Sequence, residues 1–346
     1  MTPADRSAGV GLSGPAGPGV AGRRVTELAV LAVMVSWAGN FIVVKDAITL
    51  LPPVAFTFLR YALASVALLG LLRWTEGSIR LPRPETVRIM VLGGIGFGVY
   101  QILWTVGLQT IPAGDSSLLI AATPVATAVV AVLIGVDTLS PTKAVGVALS
   151  FAGVVLVIAA GVGIELSGAP IGHALTLAAA VCWATYTAVG ARVLRRHSPL
   201  VLTTWATLGG TLVLAPIGLG QLLAPGGIDD IPSGALPQVA LSVAYSGLLA
   251  AALANVIVFH GVRLVGPTRI TAMQSLVPAL AVILAFLVLA EPIRAGQVVG
   301  GAIIVAGVAL TRFGARRPSR PGRPGRPGGP GGPSRRRLPR PAMLRR

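Results

Sequence analysis

Polar and aromatic side chains stand at several points inside the long apolar segments of this sequence. A polar group in such a segment costs free energy unless it faces other protein groups or a water-filled cavity, so it is a candidate for a binding site. Large aromatic surfaces with few polar groups suit an amphipathic or neutral solute. The predicted substrate-binding residues are Trp37, Asn40, Tyr100, Gln101, Trp104, Trp183, Tyr186, Asn255, Gln274 and Ser275.

Two of these residues, Trp37 and Trp183, lie at corresponding positions of two similar segments and are the preferred cavity walls. The alternative is that these tryptophans only pack helices together or lie in the interfacial belt of a membrane. Pro124 and Pro278 stand in the middle of apolar segments, where a proline frees a backbone carbonyl and kinks a helix. Either a scaffold kink or a wall of the site fits them.

Charged side chains within the apolar segments are few. Arg60 is the most deeply placed base; it could bind an anionic substrate group, hydrogen-bond to backbone carbonyls or reach outward, and its segment favours a structural role. Proton coupling would need a titrating group, for which Asp115 and His260 are candidates, but facilitated exchange is equally compatible. Glu291 and Asp137 lie at helix ends and are expected to cap or pair locally.

Residues with catalytic or metal-binding spacing are missing from the sequence. It contains no H-E-x-x-H, no G-x-S-x-G, no Walker loop and no paired acids within an apolar segment. The histidines His173, His197 and His260 are scattered. We therefore expect no enzyme activity, no catalytic residues, no metal and no cofactor.

The composition identifies a membrane protein. Hydrophobic residues make up 54% of the 346 residues and charged residues 11%, against about 45–50% and about 25% in soluble domains. The net charge of +17 belongs largely to one end, since twelve of the 28 basic residues lie between Arg312 and Arg346. Nucleic acid is therefore not an expected partner. The single cysteine, Cys182, excludes an internal disulfide framework.

Ten apolar segments of about the length that crosses a bilayer follow one another, and they must be α-helices because hydrocarbon offers no partners for the backbone. Lys and Arg are concentrated in every second loop, on the same side of the membrane as both termini, so both termini are expected in the cytoplasm. Residues 1–25 and the Pro/Gly/Arg-rich tail 313–346 are expected to be disordered. The tail could bind anionic lipid, or only reinforce topology. The predicted spans are 27–46, 53–73, 87–109, 114–135, 142–161, 171–192, 200–223, 235–259, 267–289 and 295–312.

An internal repeat divides the chain into two five-helix halves, 26–161 and 162–312. A shift of 154 residues aligns 107–156 with 261–310 without a gap and places Pro124 on Pro278, while a shift of 146 places Trp37 on Trp183. Because five is an odd number, the second half enters the membrane from the opposite face. Such inverted repeats are typical of secondary transporters, with the substrate near the midplane between the halves.

The sequence resembles the EamA family of the drug/metabolite transporter superfamily. The resemblance covers residues 26–312 and rests on SWAGNFIVVK at 36–45, FLRYALA at 58–64 and the two repeat cores, above all AEPIRAGQVVG at 290–300. The first repeat departs from the family pattern by carrying Asp137 where Glu is usual. The resemblance implies a ten-helix metabolite or drug transporter, often an exporter.

Together these features predict an all-α, multi-pass protein of the cytoplasmic membrane that carries a small metabolite or drug-like solute by alternating access, and the resemblance implies that it is an exporter. Two alternatives stay open. A non-transporting receptor or scaffold would dock partners through the basic tail, and a channel would give flux that does not saturate with solute.

Overall fold

Among the residues that the structure describes, the predicted apolar segments form helices, with turns at Ala121 and Ala122 and at Ser275. A computed structural model describes residues 20–77, 80–135, 138, 140–162, 169–265, 270 and 273–313, and no β-strand occurs among them. The predictions for residues 1–19, for the tail 314–346 and for Asp137 fall outside the described residues. Helix is the expected result, because each apolar segment must satisfy its own backbone groups in hydrocarbon.

The first helix begins earlier than predicted. Helix α1 starts at Val20, before the predicted span 27–46 and within the segment 1–25 that was expected to be disordered. Extending an existing helix costs little once the following apolar turns are formed. The helices of the first half are α1 (Val20–Ala47), α2 (Pro53–Glu76), α3 (Arg83–Gly93), α4 (Tyr100–Thr110), α5 (Ala113–Ile120), α6 (Thr123–Leu133) and α7 (Pro141–Val162). A π-helical stretch at Gly94–Val99 joins α3 to α4, so Arg83–Thr110 is one continuous span.

The second half repeats this order. Its helices are α8 (Ala169–Val193), α9 (Pro199–Leu223), α10 (Leu236–Ala244), α11 (Ala254–Val265), α12 (Leu276–Leu289) and α13 (Ala295–Phe313). A π-helical stretch at Tyr245–Leu253 joins α10 to α11, and short 3-10 turns lie at Ile228–Asp230 and Ser233–Ala235.

Eight helical stretches of the described residues are long and apolar enough to cross a membrane, and α12 and α13 are shorter apolar helices. These ten pieces follow the order of the ten predicted segments. The described part of the chain thus confirms a multi-pass, all-helical membrane protein and confirms eight of the segments at spanning length.

Equivalent helices of the two halves cross antiparallel. Gly146 near the start of α7 lies against Gly307 near the end of α13, and Gly296 lies against Ala160 at the opposite ends. Helices α2 and α9 cross in the same way, with Thr211 donating to the carbonyl of Tyr61 at 3.1 Å. Two copies of one fold related by a two-fold axis in the membrane plane place their equivalent helices in this way.

Each half also contains one interrupted span. Helix α5 ends at Ile120 and α6 begins at Thr123, and the repeat-equivalent turn at Ser275 precedes α12. Pro124 and Pro278 lie within the first three residues after these breaks, where a missing backbone N–H is tolerated. The prolines thus mark real discontinuities of the helices.

Candidate functional site

A cavity of about 560 Å³ lies between the two halves and brings the predicted site together. All ten predicted substrate-binding residues line it: Trp37, Asn40, Tyr100, Gln101, Trp104, Trp183, Tyr186, Asn255, Gln274 and Ser275. Sites for small molecules commonly have volumes of about 300–1,000 Å³. Substrate binding by these residues stays a prediction.

Aromatic rings form much of the cavity wall. Trp183 on α8 packs against Tyr186 of its own helix, with ring centroids 5.3 Å apart, and against Phe97 and Tyr100 at 5.5 Å each. Phe97 lies in the π-helical stretch before α4, whose wider turn places it beside α8. The rings meet edge to face or tilted, as aromatic pairs in protein cores usually do.

The other tryptophan is fixed by the backbone of the opposite half. Trp37 on α1 donates its indole N–H to the carbonyl oxygen of Ala250 at 2.9 Å. Ala250 lies in the π-helical stretch of the second half and lines the cavity as well. Trp37 therefore both lines the cavity and ties the two halves together, so the packing alternative and the binding role can hold at the same time.

A chain of hydrogen bonds crosses the site through four helical spans. Gln101 donates to the Tyr61 hydroxyl at 2.8 Å and accepts from Nη2 of Arg60 at 2.5 Å. Arg60 also donates from Nη1 to Ser246 at 2.6 Å, and Ser246 donates to Oδ1 of Asn40 at 2.6 Å. The chain links α2, α4, the π-helical stretch at Tyr245–Leu253 and α1.

The structure adds residues that the sequence analysis did not place in the site. Arg60 and Tyr61 line the cavity, and the hydroxyl-bearing residues Ser117, Thr123, Thr127 and Thr187 do so too. The favoured interpretation of Arg60 was structural, although a base in the middle of an apolar span was itself the available signal. Hydroxyl groups within helices carry no such signal, because Ser and Thr often bond to their own helix backbone.

The cavity carries the symmetry of the repeat. Trp37 and Trp183 correspond by the shift of 146 residues, and Pro124 and Pro278 by the shift of 154, and all four residues line the cavity. The shift of 154 also relates Gln101 to Asn255. The two halves thus supply equivalent wall positions, but with different polar side chains.

The lining is continuous toward one end of the bundle. It reaches Leu194 and Leu202 beside the α8–α9 turn, and Val262 near the end of α11. Residues of the α4–α5 turn and of the α12–α13 loop are not part of it.

At the end of the bundle opposite the α8–α9 turn, two charged side chains hold the turn between α4 and α5. Lys45 donates to the carbonyls of Leu108 at 2.6 Å and Ile111 at 2.8 Å. Glu291, in the α12–α13 loop, accepts from the backbone N–H groups of Ala113 at 2.9 Å and Gly114 at 3.1 Å. Both ends of the turn receive the charge that the adjacent helix terminus favours. Glu291 does cap a helix, but that helix is α5 of the other half and not a local one as expected.

The candidates for proton coupling lie outside the cavity lining. Asp115 is fully buried on α5, where Oδ1 accepts from Gln297 at 2.5 Å and Oδ2 lies 3.7 Å from Nε2 of His173. His260 is an exposed residue of α11. Among the described residues, no group of three or more His, Cys, Asp or Glu side chains could hold a metal ion.

Known proteins resemble this chain along most of its length. A solved crystal structure with 20% sequence identity has a TM-score of 0.59 over 85% of this chain and 98% of its own, which shows a shared fold. An uncharacterized transporter of Archaeoglobus fulgidus is 30% identical over 83% of this chain and 96% of its own.

Two further relatives have more specific names. A "Probable terminal-alkyne amino-acid exporter" of Streptantibioticus cattleyicolor is 29% identical over 82% of this chain and 91% of its own. A "Probable amino-acid metabolite efflux pump" of Salmonella typhimurium is 28% identical over 83% and 94%. The model of the EamA-like transporter family matches twice, over residues 24–159 and again over 170–313. Because both halves match and together make up most of the sequence, this chain belongs to the EamA-like transporter family.

Proposed function

We propose that this transporter exports a small amino-acid-type metabolite across the cytoplasmic membrane by alternating access. The observation that carries the proposal is the cavity between the two antiparallel halves, lined by all ten residues selected from polarity and repeat position. A site at the interface of inverted repeats can open to one side and then the other when the halves rock against each other.

The substrate class follows from the relatives and suits the cavity. Two relatives are named for amino-acid export or for amino-acid metabolite efflux. Aromatic rings around a short polar chain would bind a molecule with an apolar body and one polar end. The proposed binding residues are the ten predicted ones, with Arg60 and Tyr61 added.

The topology bears on the direction of transport. With both termini in the cytoplasm, as the Lys and Arg distribution favours, the α8–α9 turn is cytoplasmic and the cavity lining runs toward the cytoplasm. The turn held by Lys45 and Glu291 then lies at the outer face. In this state an exporter would load its solute and an importer would release it, so the proposed export rests on the relatives named as an exporter and an efflux pump.

The remaining features fit a carrier that uses no resident cofactor. The proposed structural repeats are 26–161 and 162–312. The basic tail would lie at the inner membrane surface, where each basic residue gains about 1 kcal/mol from anionic lipid. Solute chemistry at the site would be limited to binding, with no catalysis and no nucleic-acid partner.

Flux into proteoliposomes tests this function against its alternatives. The purified chain is reconstituted, and uptake of radiolabelled phenylalanine and leucine is measured over a range of concentrations, with and without unlabelled amino acid inside. Saturable uptake that is accelerated by internal solute would establish a carrier. Uptake that rises linearly with concentration would favour a channel, and no uptake of either amino acid would favour a receptor.

A further inference from the structure

Arg60 is a buried cation beside the cavity, with only uncharged neighbours. Its side chain is 2% exposed, and its guanidinium carbon lies 5.2–5.7 Å from the ring centroids of Phe56, Tyr61 and Trp104. Its hydrogen-bond partners, Gln101 and Ser246, are neutral. Among the described residues, no carboxylate lies within 4.0 Å of it, and its Nε has no hydrogen-bond partner.

Such an arrangement is costly unless something compensates for it. A charge removed from water needs a partner of opposite charge or a full set of hydrogen bonds. Three aromatic faces and two neutral acceptors supply part of the compensation. The missing part is an anion, and the cavity is the space from which an anion could reach the guanidinium.

The fold itself does not need a cation at this position. The shift of 146 residues relates Arg60 to Ala206, and the shift of 154 relates Gly247 to Gly93. Gly247 packs against the backbone of Arg60, and Gly93 packs against the backbone of Ala206. The same helix crossing is thus built in the other half with a methyl side chain, so the guanidinium serves something other than the crossing.

The surroundings also select the shape of the anion. Of the cavity-lining residues that the structure describes, Arg60 alone carries a charge. A guanidinium presents paired N–H donors that match a carboxylate. The rings of Trp183, Tyr186 and Phe97 line the same cavity and offer an apolar surface.

We infer that Arg60 is the anchor for the carboxylate of the transported solute, with Gln101 and Ser246 holding the guanidinium toward the cavity. The solute class is therefore a small carboxylic acid with an apolar or aromatic body, amino acids included. This inference rests on the proposed function, because it names a group of the substrate at the same site.

Matched acid and amide probes test the anchor on the purified, full-length protein. Phenylacetate and phenylalanine are compared with phenylacetamide and phenylalaninamide, and binding is read from the thermal shift in detergent and from tryptophan fluorescence. The acids should bind about 10- to 100-fold more tightly than their amides, which is the range of a charge-assisted pair. Preference for phenylacetate alone would also support the anchor and assign organic acids without an amino group.

Variants separate the charge from the fold. Arg60→Met should abolish the acid preference. Arg60→Lys should keep part of it, since an ammonium group retains the charge but not the paired N–H donors of the guanidinium. The control is Arg73→Met, which removes an exposed charge from the same helix. If Arg60→Met does not fold, the acid–amide comparison on the native protein and on Arg60→Lys still decides.

Equal binding of acids and amides, no binding of either acid, or an acid preference that survives Arg60→Met would overturn the inference. Because binding is measured without flux, the two proposals fail separately. A protein that prefers acids but moves no solute would contradict the proposed export alone, while flux of amides and acids alike would contradict the carboxylate anchor alone.

Discussion

Gly153 of α7 and Gly300 of α13 face each other where the last helices of the two halves cross. A methyl group added to Gly153 would lie 2.7 Å from the carbonyl oxygen of Gly300, and one added to Gly300 would lie 2.8 Å from that of Gly153. The shift of 154 residues relates Gly146 to Gly300 and Gly153 to Gly307, so the neighbouring contact between Gly146 and Gly307 is the repeat equivalent of this one. The two helix backbones are therefore too close at this crossing to admit a side chain at either glycine.

We expect Gly300→Ala to lower the free energy of unfolding by about 1–3 kcal/mol, because the helices must move apart to admit the methyl group. Thermal unfolding in detergent measures the change. The matched control is Gly70→Ala on the exposed side of α2, where an added methyl group meets nothing within 4 Å. Equal melting temperatures for the two variants would contradict the close crossing.

Truncation of the cavity tryptophans should weaken transport without preventing folding. Loss of an apolar contact of roughly 80 Å² with the solute costs about 2 kcal/mol, which is about thirtyfold in affinity. Trp183→Ala should therefore raise the half-saturation concentration of flux by about this factor. Trp37→Ala should do the same and also lower the melting temperature, since it loses the bond to Ala250.

Trp74→Ala provides the control for these two variants, because Trp74 is 83% exposed and does not line the cavity. Its flux should equal that of the native protein. If Trp183→Ala transports with native affinity, the ring is only a packing element, and the alternative interpretation from the sequence is correct.

The repeat-equivalent pair Gln101 and Asn255 should respond differently to the loss of the amide. Gln101 accepts from Arg60 and donates to Tyr61, while Asn255 donates to the carbonyl of Ala251, in the π-helical stretch just before α11, at 2.8 Å. Gln101→Leu should lower flux about tenfold or more, because the guanidinium loses an acceptor. Asn255→Leu should lower the flux less. A larger loss of flux for Asn255→Leu than for Gln101→Leu would show that transport does not depend on the hydrogen-bond chain through Arg60.

The turn held by Lys45 and Glu291 should control access from its end of the molecule. Glu291→Ala removes the acceptor of the Ala113 and Gly114 N–H groups, a loss of about 0.5–2 kcal/mol by analogy with helix caps. With Ser117→Cys as reporter in a Cys182→Ala background, labelling by an impermeant thiol reagent from outside should rise about 2- to 30-fold. Asp229→Ala, which removes an exposed carboxylate from the loop between α9 and α10, should leave labelling unchanged.

Much of this fold could be predicted because the hydrocarbon of the membrane restricts the backbone to helices. A segment such as Pro199–Leu223 has no stable alternative to a helix in hydrocarbon, so composition and length were sufficient. The cavity residues were recognisable for a related reason. Gln101 and Asn255 are too polar to face lipid, and Trp37 and Trp183 were related by the repeat.

The parts that could not be predicted depend on tertiary contacts. The π-helical stretches at Gly94–Val99 and Tyr245–Leu253 pack glycines closely against neighbouring helices, and apolar periodicity does not reveal them. The α4–α5 turn is held by hydrogen bonds to Lys45 and Glu291, which lie far apart in the sequence. Arg60 was interpreted as structural because of the FLRYALA segment in which it lies. Its uncharged partners, and the helix crossing that Ala206 forms without a cation, are visible only in three dimensions.

The most direct test of export is a comparison of metabolite pools inside and outside cells that carry the native protein, no protein, or the double variant Trp37→Ala, Gln101→Ala at equal membrane abundance. We predict that the native protein lowers the internal pool and raises the external pool of a small set of amino-acid-type metabolites, and that the double variant does neither. Native and variant proteins that shift the same pools equally, or a native protein that shifts none, would contradict export through this cavity.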